Sequence, residues 1–437
     1  MVRRLREIVA PGCWRVFFLA LAASLMWASP GASLVIEEAL VITRDFSCDG
    51  GVSCTIADMP KVFAQACKVT GGTLSGNQCR FNLPADTDLF GTSDFLVVAE
   101  DIFKAHLLEQ AKAAAATASE ISENAIQAAL RDIRDRLQDK AATAAKEKPQ
   151  GLGARTSYAQ DNGMMGLTRS QTTTLPSSVA VWVQGYVDRE WRDSNLGFLD
   201  GRTATTTGAI GGIDYTSYRL FSANDAFVVG ILAGVTQVRS SSILDVKTRV
   251  DGPSVGIYGV YVNGGFSADF NSKVDFLALD QSSVIPLSSD LRTYTTAANL
   301  NYKFDVGGGW IEPTIGAIYT VTRWDSLLSA LDGHTVRVQG GVRFGQSFKQ
   351  GDVTIEPTLL ALLYSDVVIE GGNINTVGVP LSPTDEGRLF EQASLKLNFD
   401  FGNGLSSSIE GEVRHGDLNH GAEVVGAAGR VGLRYKW

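Results

Sequence analysis

Cysteine is scarce in this chain and confined to one end. Of five cysteines in 437 residues, Cys13 stands near the start, Cys48, Cys54, Cys67 and Cys79 cluster together, and none follows. Everything downstream of Cys79 must therefore hold together without disulfides. Long hydrophobic runs are missing too. No segment past the N-terminus reaches the roughly 18 apolar residues of a transmembrane helix, so a membrane passage would have to be made by strands. Basic excess is absent: the formal charge is −9, which argues against nucleic acid as a partner, since phosphate binding requires a basic face. Proline is rare, 12 against 46 glycines, a balance that suits many strands joined by turns.

What is present begins with a targeting segment. Arg3, Arg4, Arg6 and Arg15 precede the apolar run 16–27 and then the small residues Ala28, Ser29, Gly31, Ala32 and Ser33, the order of a secretory signal peptide. Residues 1–33 are read as that peptide, cut between Ala28 and Leu34. The run is short for an uncleaved anchor. Export places Cys48, Cys54, Cys67 and Cys79 in an oxidising compartment, where two disulfides are expected. Spacing favours Cys48 with Cys54 and Cys67 with Cys79, although four cysteines allow three pairings. As zinc ligands they are spaced too widely, with no histidine nearby.

Residues 34–93 form a small disulfide-bearing region with turn signals at 49–51, 71–72 and 76–77. Residues 94–148 are alanine-rich, and Ile126, Leu130, Ile133 and Leu137 recur at helical spacing. Asp94 can cap such a helix, and Pro149 with Gly151 can end it. Its apolar stripe is expected to pack on the disulfide region or another helix, or to serve a partner, and the slim stretch 111–118 could lie free in the periplasm. Residues 149–178 read as a linker, a candidate for threading a pore.

From residue 179 apolar and polar residues alternate to the end. Val431, Leu433, Tyr435 and Trp437 share one face of the last strand, and Arg430, Gly432, Arg434 and Lys436 the other. Twelve runs of this kind lie at 179–190, 205–218, 226–239, 249–262, 266–281, 291–304, 309–324, 335–348, 352–366, 387–400, 405–415 and 422–437. Tight glycine turns at 263–265, 307–308, 350–352 and 402–404 alternate with longer links. Apolar-out and polar-in strands, with short turns at one end and long loops at the other, mark a transmembrane β-barrel. Trp182, Trp191, Trp310, Trp324, Tyr435 and Trp437 lie near strand ends, where interfacial girdles form. The expected fold is an all-β transmembrane barrel of twelve antiparallel strands over 179–437, with a small, partly helical N-terminal region.

Five stretches of the barrel segment stand out: Val181-Trp-Val-Gln-Gly-Tyr186, Ile311-Glu-Pro313, Ile355-Glu-Pro357, Val336-Arg-Val-Gln-Gly-Gly-Val-Arg-Phe344 and Gly432-Leu-Arg-Tyr-Lys-Trp437. In these, their order and the twelve-strand count, the segment resembles the C-terminal translocator β-domain of autotransporters, the type V secretion family. The resemblance implies export by the secretion translocase, a terminal strand (Val431, Leu433, Tyr435, Trp437) read by the barrel-assembly machinery, outer-membrane lipid as surroundings, and a monomeric barrel whose linker carries a passenger through the pore. Family passengers are usually long, repetitive and cysteine-poor. Here the N-terminal region is short, partly helical and bears four cysteines.

The inner-face charges Glu312, Arg337, Arg343, Glu356, Lys396, Glu410, Glu412, Arg414, Arg430 and Arg434 are expected to line the lumen, pairing across strands or hydrating a pore. They make no catalytic set. Gly252-Pro-Ser-Val-Gly256 matches a nucleophile pattern around Ser254 but opens a strand with no helix behind it. His415 and His420 flank Asp417 in what reads as a solvated turn. No enzyme, cofactor or metal is expected, and with only Asn162 after Asp161 in the linker, no self-cleavage between paired asparagines. The expected function is an outer-membrane autotransporter-type barrel that translocates, displays or anchors its N-terminal region. The alternatives are a porin-like channel with a periplasmic N-terminal module, or a surface adhesin or enzyme carried by the short passenger.

Overall fold

The computed structural model describes residues 39–43, 63–64, 66–67, 73–76, 78–82, 91–146 and 178–437, the last without 193–200, 223, 243–245, 284–285, 326–327, 372–373, 377–378, 382–388 and 418–422. The expected signal peptide, Cys48, Cys54, His420 and all but the last residue of the linker lie outside the described residues.

In the N-terminal region, Ala39–Thr43 pairs antiparallel with Gln78–Asn82, which also pairs with Thr73–Ser75. A disulfide joins Cys67 to Cys79. A single long helix, α1 (Gly91–Lys146), follows; at 1.5 Å per residue its 56 residues extend about 84 Å. It starts three residues before Asp94, which sits in its first turn. No described helix is long and apolar enough to cross a membrane.

Twelve strands then form one antiparallel sheet. They are β1 (Ser178–Arg192), β2 (Arg202–Tyr218), β3 (Asp225–Ser242), β4 (Lys247–Asn263), β5 (Phe266–Ser282), β6 (Leu287–Tyr302), β7 (Gly309–Trp324), β8 (Gly333–Gln346), β9 (Val353–Gly371), β10 (Phe390–Asp400), β11 (Leu405–Asp417) and β12 (Glu423–Lys436). Each pairs with its sequence neighbour. The sheet closes where β12 pairs with β1 in the register Val431↔Gly185 and Leu433↔Val183, so neither terminal strand leaves an unpaired edge. The short turns depend on glycine. Gly404, between β10 and β11, has φ +87°, and a Cβ there would lie 2.2 Å from the Lys436 carbonyl oxygen.

The outer wall is a belt of exposed apolar side chains, among them Ile213, Ile231, Ile257, Ile315, Leu395, Ile409, Val413, Val431 and Leu433. Aromatics exposed toward the short-turn rim include Tyr215, Phe266, Tyr302, Phe304, Phe348 and Phe401, with Tyr435 and Trp437 closing the chain there. The sequence reading of the girdle is corrected at three positions. Trp182, Trp310 and Trp324 are buried and face inward, because each has the parity of its strand's inward residues; Trp191 alone of the internal tryptophans in that group faces out.

Candidate functional site: the occupied lumen

The barrel interior is filled by α1. From Phe103 to Gln138 the helix is buried on nearly every side, although its sequence is too polar for a conventional core. Two kinds of wall account for this. Along β1–β4 the inward positions include Trp182, Tyr186, Ile210, Ala226, Val228, Leu232, Tyr258, Val260 and Val262, and these pack on the helix stripe Ile126, Ala129, Leu130, Ile133 and Leu137. Toward the long loops, Ala111, Ala114, Ala115 and Ala118 lie against Ala204, Val238, Val250, Leu277, Leu279 and Leu291. Alanine keeps this part of the helix slim enough to approach the wall. The expectation that the helix packs on the disulfide region or lies free is thereby corrected: its apolar partner is the inside of the barrel.

The opposite wall is charged, and so is the helix face toward it. Arg134 donates to Asp269 (2.7 Å) and Glu312 (2.6 Å), and Arg343 donates to the same Glu312 oxygen (2.8 Å) and to both oxygens of Asp135 (3.0 and 2.6 Å). Cation and anion thus alternate across α1, β5, β7 and β8. Arg337 joins Glu120 of the helix (2.8 Å) to Asp366 of β9 (2.7 Å). Lys396 contacts Asp132 and donates to the Ala128 carbonyl oxygen (3.0 Å). Arg131 pairs with Glu410 at 3.2 Å, and Ser408 donates to Asp132 at 3.1 Å. Beyond these, Arg430 donates to Glu412 (2.8 Å), while Arg414 binds Glu412 (3.1 Å) and both oxygens of Asp188 (2.8 and 3.0 Å). Arg434 clamps Asp214 with two 2.7 Å bonds, and Ser347 donates to Glu356 at 2.6 Å.

The structure therefore places all ten lumen-facing candidates inside, and it joins Arg337, Arg343, Lys396 and Glu410 directly to the helix. Sequence reasoning missed their partners Glu120, Arg131, Asp132, Arg134 and Asp135, along with Asp188, Asp214, Asp269 and Asp366. The barrel acids share the inward parity of their strands and could have been found by it. The helix charges carry no such signal until the helix is known to be inside.

These pairs set the register of the helix. A buried ion pair adds little net stability over apolar packing, but removing one partner costs about 3–5 kcal/mol because the other is left buried and uncompensated. Sliding α1 by one turn, about 5.4 Å, would separate all of them together. Direction follows from the same contacts. His106 bonds Ser242 and the Leu107 carbonyl accepts from Gln281, both at the long-loop ends of β3 and β5. Gln138 donates to the Gly265 carbonyl in a short turn. The helix enters at the long-loop end and leaves at the short-turn end, where β1 begins. A cleft of about 120 Å³ remains between α1 and β6–β9 toward the long loops, lined by Glu120, Glu123, His334, Arg337 and Asp366 among others.

Ser254 is a buried inward residue of β4, and His415 faces outward 3.5 Å from Glu423. Among the described residues no group of three or more His, Cys, Asp and Glu side chains is placed to hold a metal ion.

Comparison with known proteins settles the family. The profile of the Autotransporter beta-domain matches residues 181–412, more than half of the chain. This chain belongs to the autotransporter β-domain family. The autotransporter barrel is a bacterial outer-membrane domain, and its twelve-stranded form and closure are those described above. Its fold is similar to the β-domain of the Bordetella autotransporter BrkA (16% identity, 59% of this chain and 98% of that one, TM-score 0.47). It is also similar to the transport unit of AIDA-I from Escherichia coli (15%, 69% and 98%, 0.41) and to the translocator domain of NalP from Neisseria meningitidis (15%, 71% and 96%, 0.40). A search of curated proteins gives no match.

Proposed function

We propose that this autotransporter barrel carries its own N-terminal region outward and then keeps α1 as a docked plug, holding residues 34–90 at the cell surface. The observation that carries this reading is the direction of α1, which runs from the long-loop end to the short-turn end. Outer-membrane barrels put long loops outside and short turns in the periplasm, so the chain upstream of Phe103 emerges on the outer side. The segment inside the pore is the helix; the linker joins its periplasmic end to β1. Export by the secretion translocase and insertion by the barrel-assembly machinery, with Val431, Leu433, Tyr435 and Trp437 as the recognised strand, complete the reading. The barrel itself performs no catalysis, and its charged lumen is a docking surface for the helix.

Protease shaving of intact cells, followed with antibodies to the region 67–82, tests this. Loss of the epitope without permeabilising the outer membrane is expected. Cleavage only after permeabilisation would place the region in the periplasm and support the porin-like alternative.

A further inference from the structure

One part of the outer wall is not apolar. Alternation turns Thr203, Thr205 and Thr207 of β2 outward, since Arg202, Ala204 and Thr206 between them are buried. The strand register sets these hydroxyls in three adjoining rows near the long-loop end. The first row is Trp191, Thr203, Ser241 and Lys247; the second is Arg189, Thr205, Arg239 and Arg249; the third is Val187, Thr207, Gln237 and Asp251. The next row toward the membrane centre, Gly185, Ala209, Val235 and Pro253, is apolar.

The second row places Arg239 directly opposite Arg249, an arrangement that is unfavourable on its own. Arg249 is answered by Asp251 at 2.7 Å. Arg239 has no carboxylate partner among the described residues, and Arg189 lies over the Trp191 ring, 5.1 Å from its centroid. On the far side of the barrel at the same end, the outward ionisable residues include Glu370, Glu391 and Glu423, with His334 and His415 beside two of them, and Arg323 is held by Asp332. The basic patch is therefore one-sided, and a symmetric interfacial girdle does not explain it.

We propose that this patch binds the phosphorylated headgroup of an outer-leaflet lipid, with Arg189 and Arg239 as the phosphate ligands. Guanidinium forks match phosphate oxygens bidentately. The outward Thr and Ser hydroxyls supply further donors to the headgroup, and the apolar row beneath receives the acyl chains. The wall faces the membrane and the patch lies at its outer-leaflet edge, so the anion that reaches it is one anchored in lipid. The inference rests on the membrane placement of the barrel and is independent of where the N-terminal region resides.

The test uses the full-length protein in detergent and native mass spectrometry with lipid A as probe. The R189Q/R239Q variant is compared with the parent and with R323Q, another exposed outward arginine, which pairs with Asp332. At about fivefold per guanidinium, the double variant is expected to retain lipid A about 25-fold more weakly, with R323Q unchanged. Dephosphorylated lipid A should bind the parent as weakly as lipid A binds the double variant, and millimolar inorganic phosphate should not displace the lipid. Should the double variant fail to fold, R239Q alone is read for its fivefold loss. Equal retention by parent and variant, equal binding of the dephosphorylated lipid, or full displacement by inorganic phosphate would each overturn the proposal.

Discussion

Arg343 and Asp135 offer a quantitative test of how the plug is held. Both are buried, at 2% and 4% exposure, and they share two hydrogen bonds. Arg343→Met keeps an unbranched apolar stem but leaves Asp135 in the lumen without either bond. Asp135→Leu leaves the guanidinium over the Trp310 ring with Glu312 as its one carboxylate partner. Each single change should weaken helix docking by about 3–5 kcal/mol, which multiplies the open fraction of the pore by roughly 160 to 5,000 at 1.36 kcal/mol per tenfold. The double variant removes both charges and should recover much of that loss. Glu312 loses one of its two arginine partners whenever Arg343 is replaced, with or without Asp135, so that cost cancels in the cycle. Open probability in single-channel recordings gives all three energies. A coupling below about 0.5 kcal/mol, the level of independent sites, would show that the pair does not hold the plug.

Three further outcomes follow from the wall and its turns. Leu395 faces lipid, 57% exposed, so Leu395→Arg should cost about 2–4 kcal/mol near mid-membrane while Leu395→Phe is tolerated, as read by heat-modifiable mobility after refolding. Deleting residues 435–437 removes the aromatic end of β12 and should leave the chain unassembled in the periplasm; a normal heat-modifiable band in outer-membrane fractions would count against its role as an assembly signal. Gly404→Ala must place a Cβ at φ +87° and 2.2 Å from the Lys436 carbonyl, so it should lower barrel stability in denaturant by more than about 1 kcal/mol, whereas Gly411→Ala, with open space at its Cβ, should not.

The barrel was legible because its physics is local. Alternation fixes the face of each residue, and glycines such as Gly264, Gly351 and Gly402 mark the turns at positive φ. Misreading Trp182, Trp310 and Trp324 came from using nearness to a strand end in place of parity. Trp182 shares its parity with Gln184 and Tyr186, and its indole N–H donates to the Tyr258 hydroxyl inside the lumen. The plug was harder to see, because the stripe Ile126, Leu130, Ile133 and Leu137 does not say what covers it. A hint existed in β3 and β4, where Val228, Leu232, Tyr258 and Val260 sit at inward positions that a water-filled pore would make polar. Nothing in a list of charges reveals that Arg343 meets Asp135 across 208 residues of sequence; that pairing exists only once the helix is threaded.

The central claim is that α1 lies inside the barrel in one register, and disulfide trapping in cells tests it most directly. The Ser119 hydroxyl lies 3.1 Å from that of Thr295, and no native cysteine follows Cys79 to compete within the barrel. The pair Ser119→Cys with Thr295→Cys should cross-link in protein taken from outer membranes, as shown by peptide mapping. Ser119→Cys with Ser408→Cys should not, because Ser408 sits beside Asp132, more than three helical turns further along α1. Absence of the first cross-link, or equal yield of both, would contradict a helix fixed in the lumen.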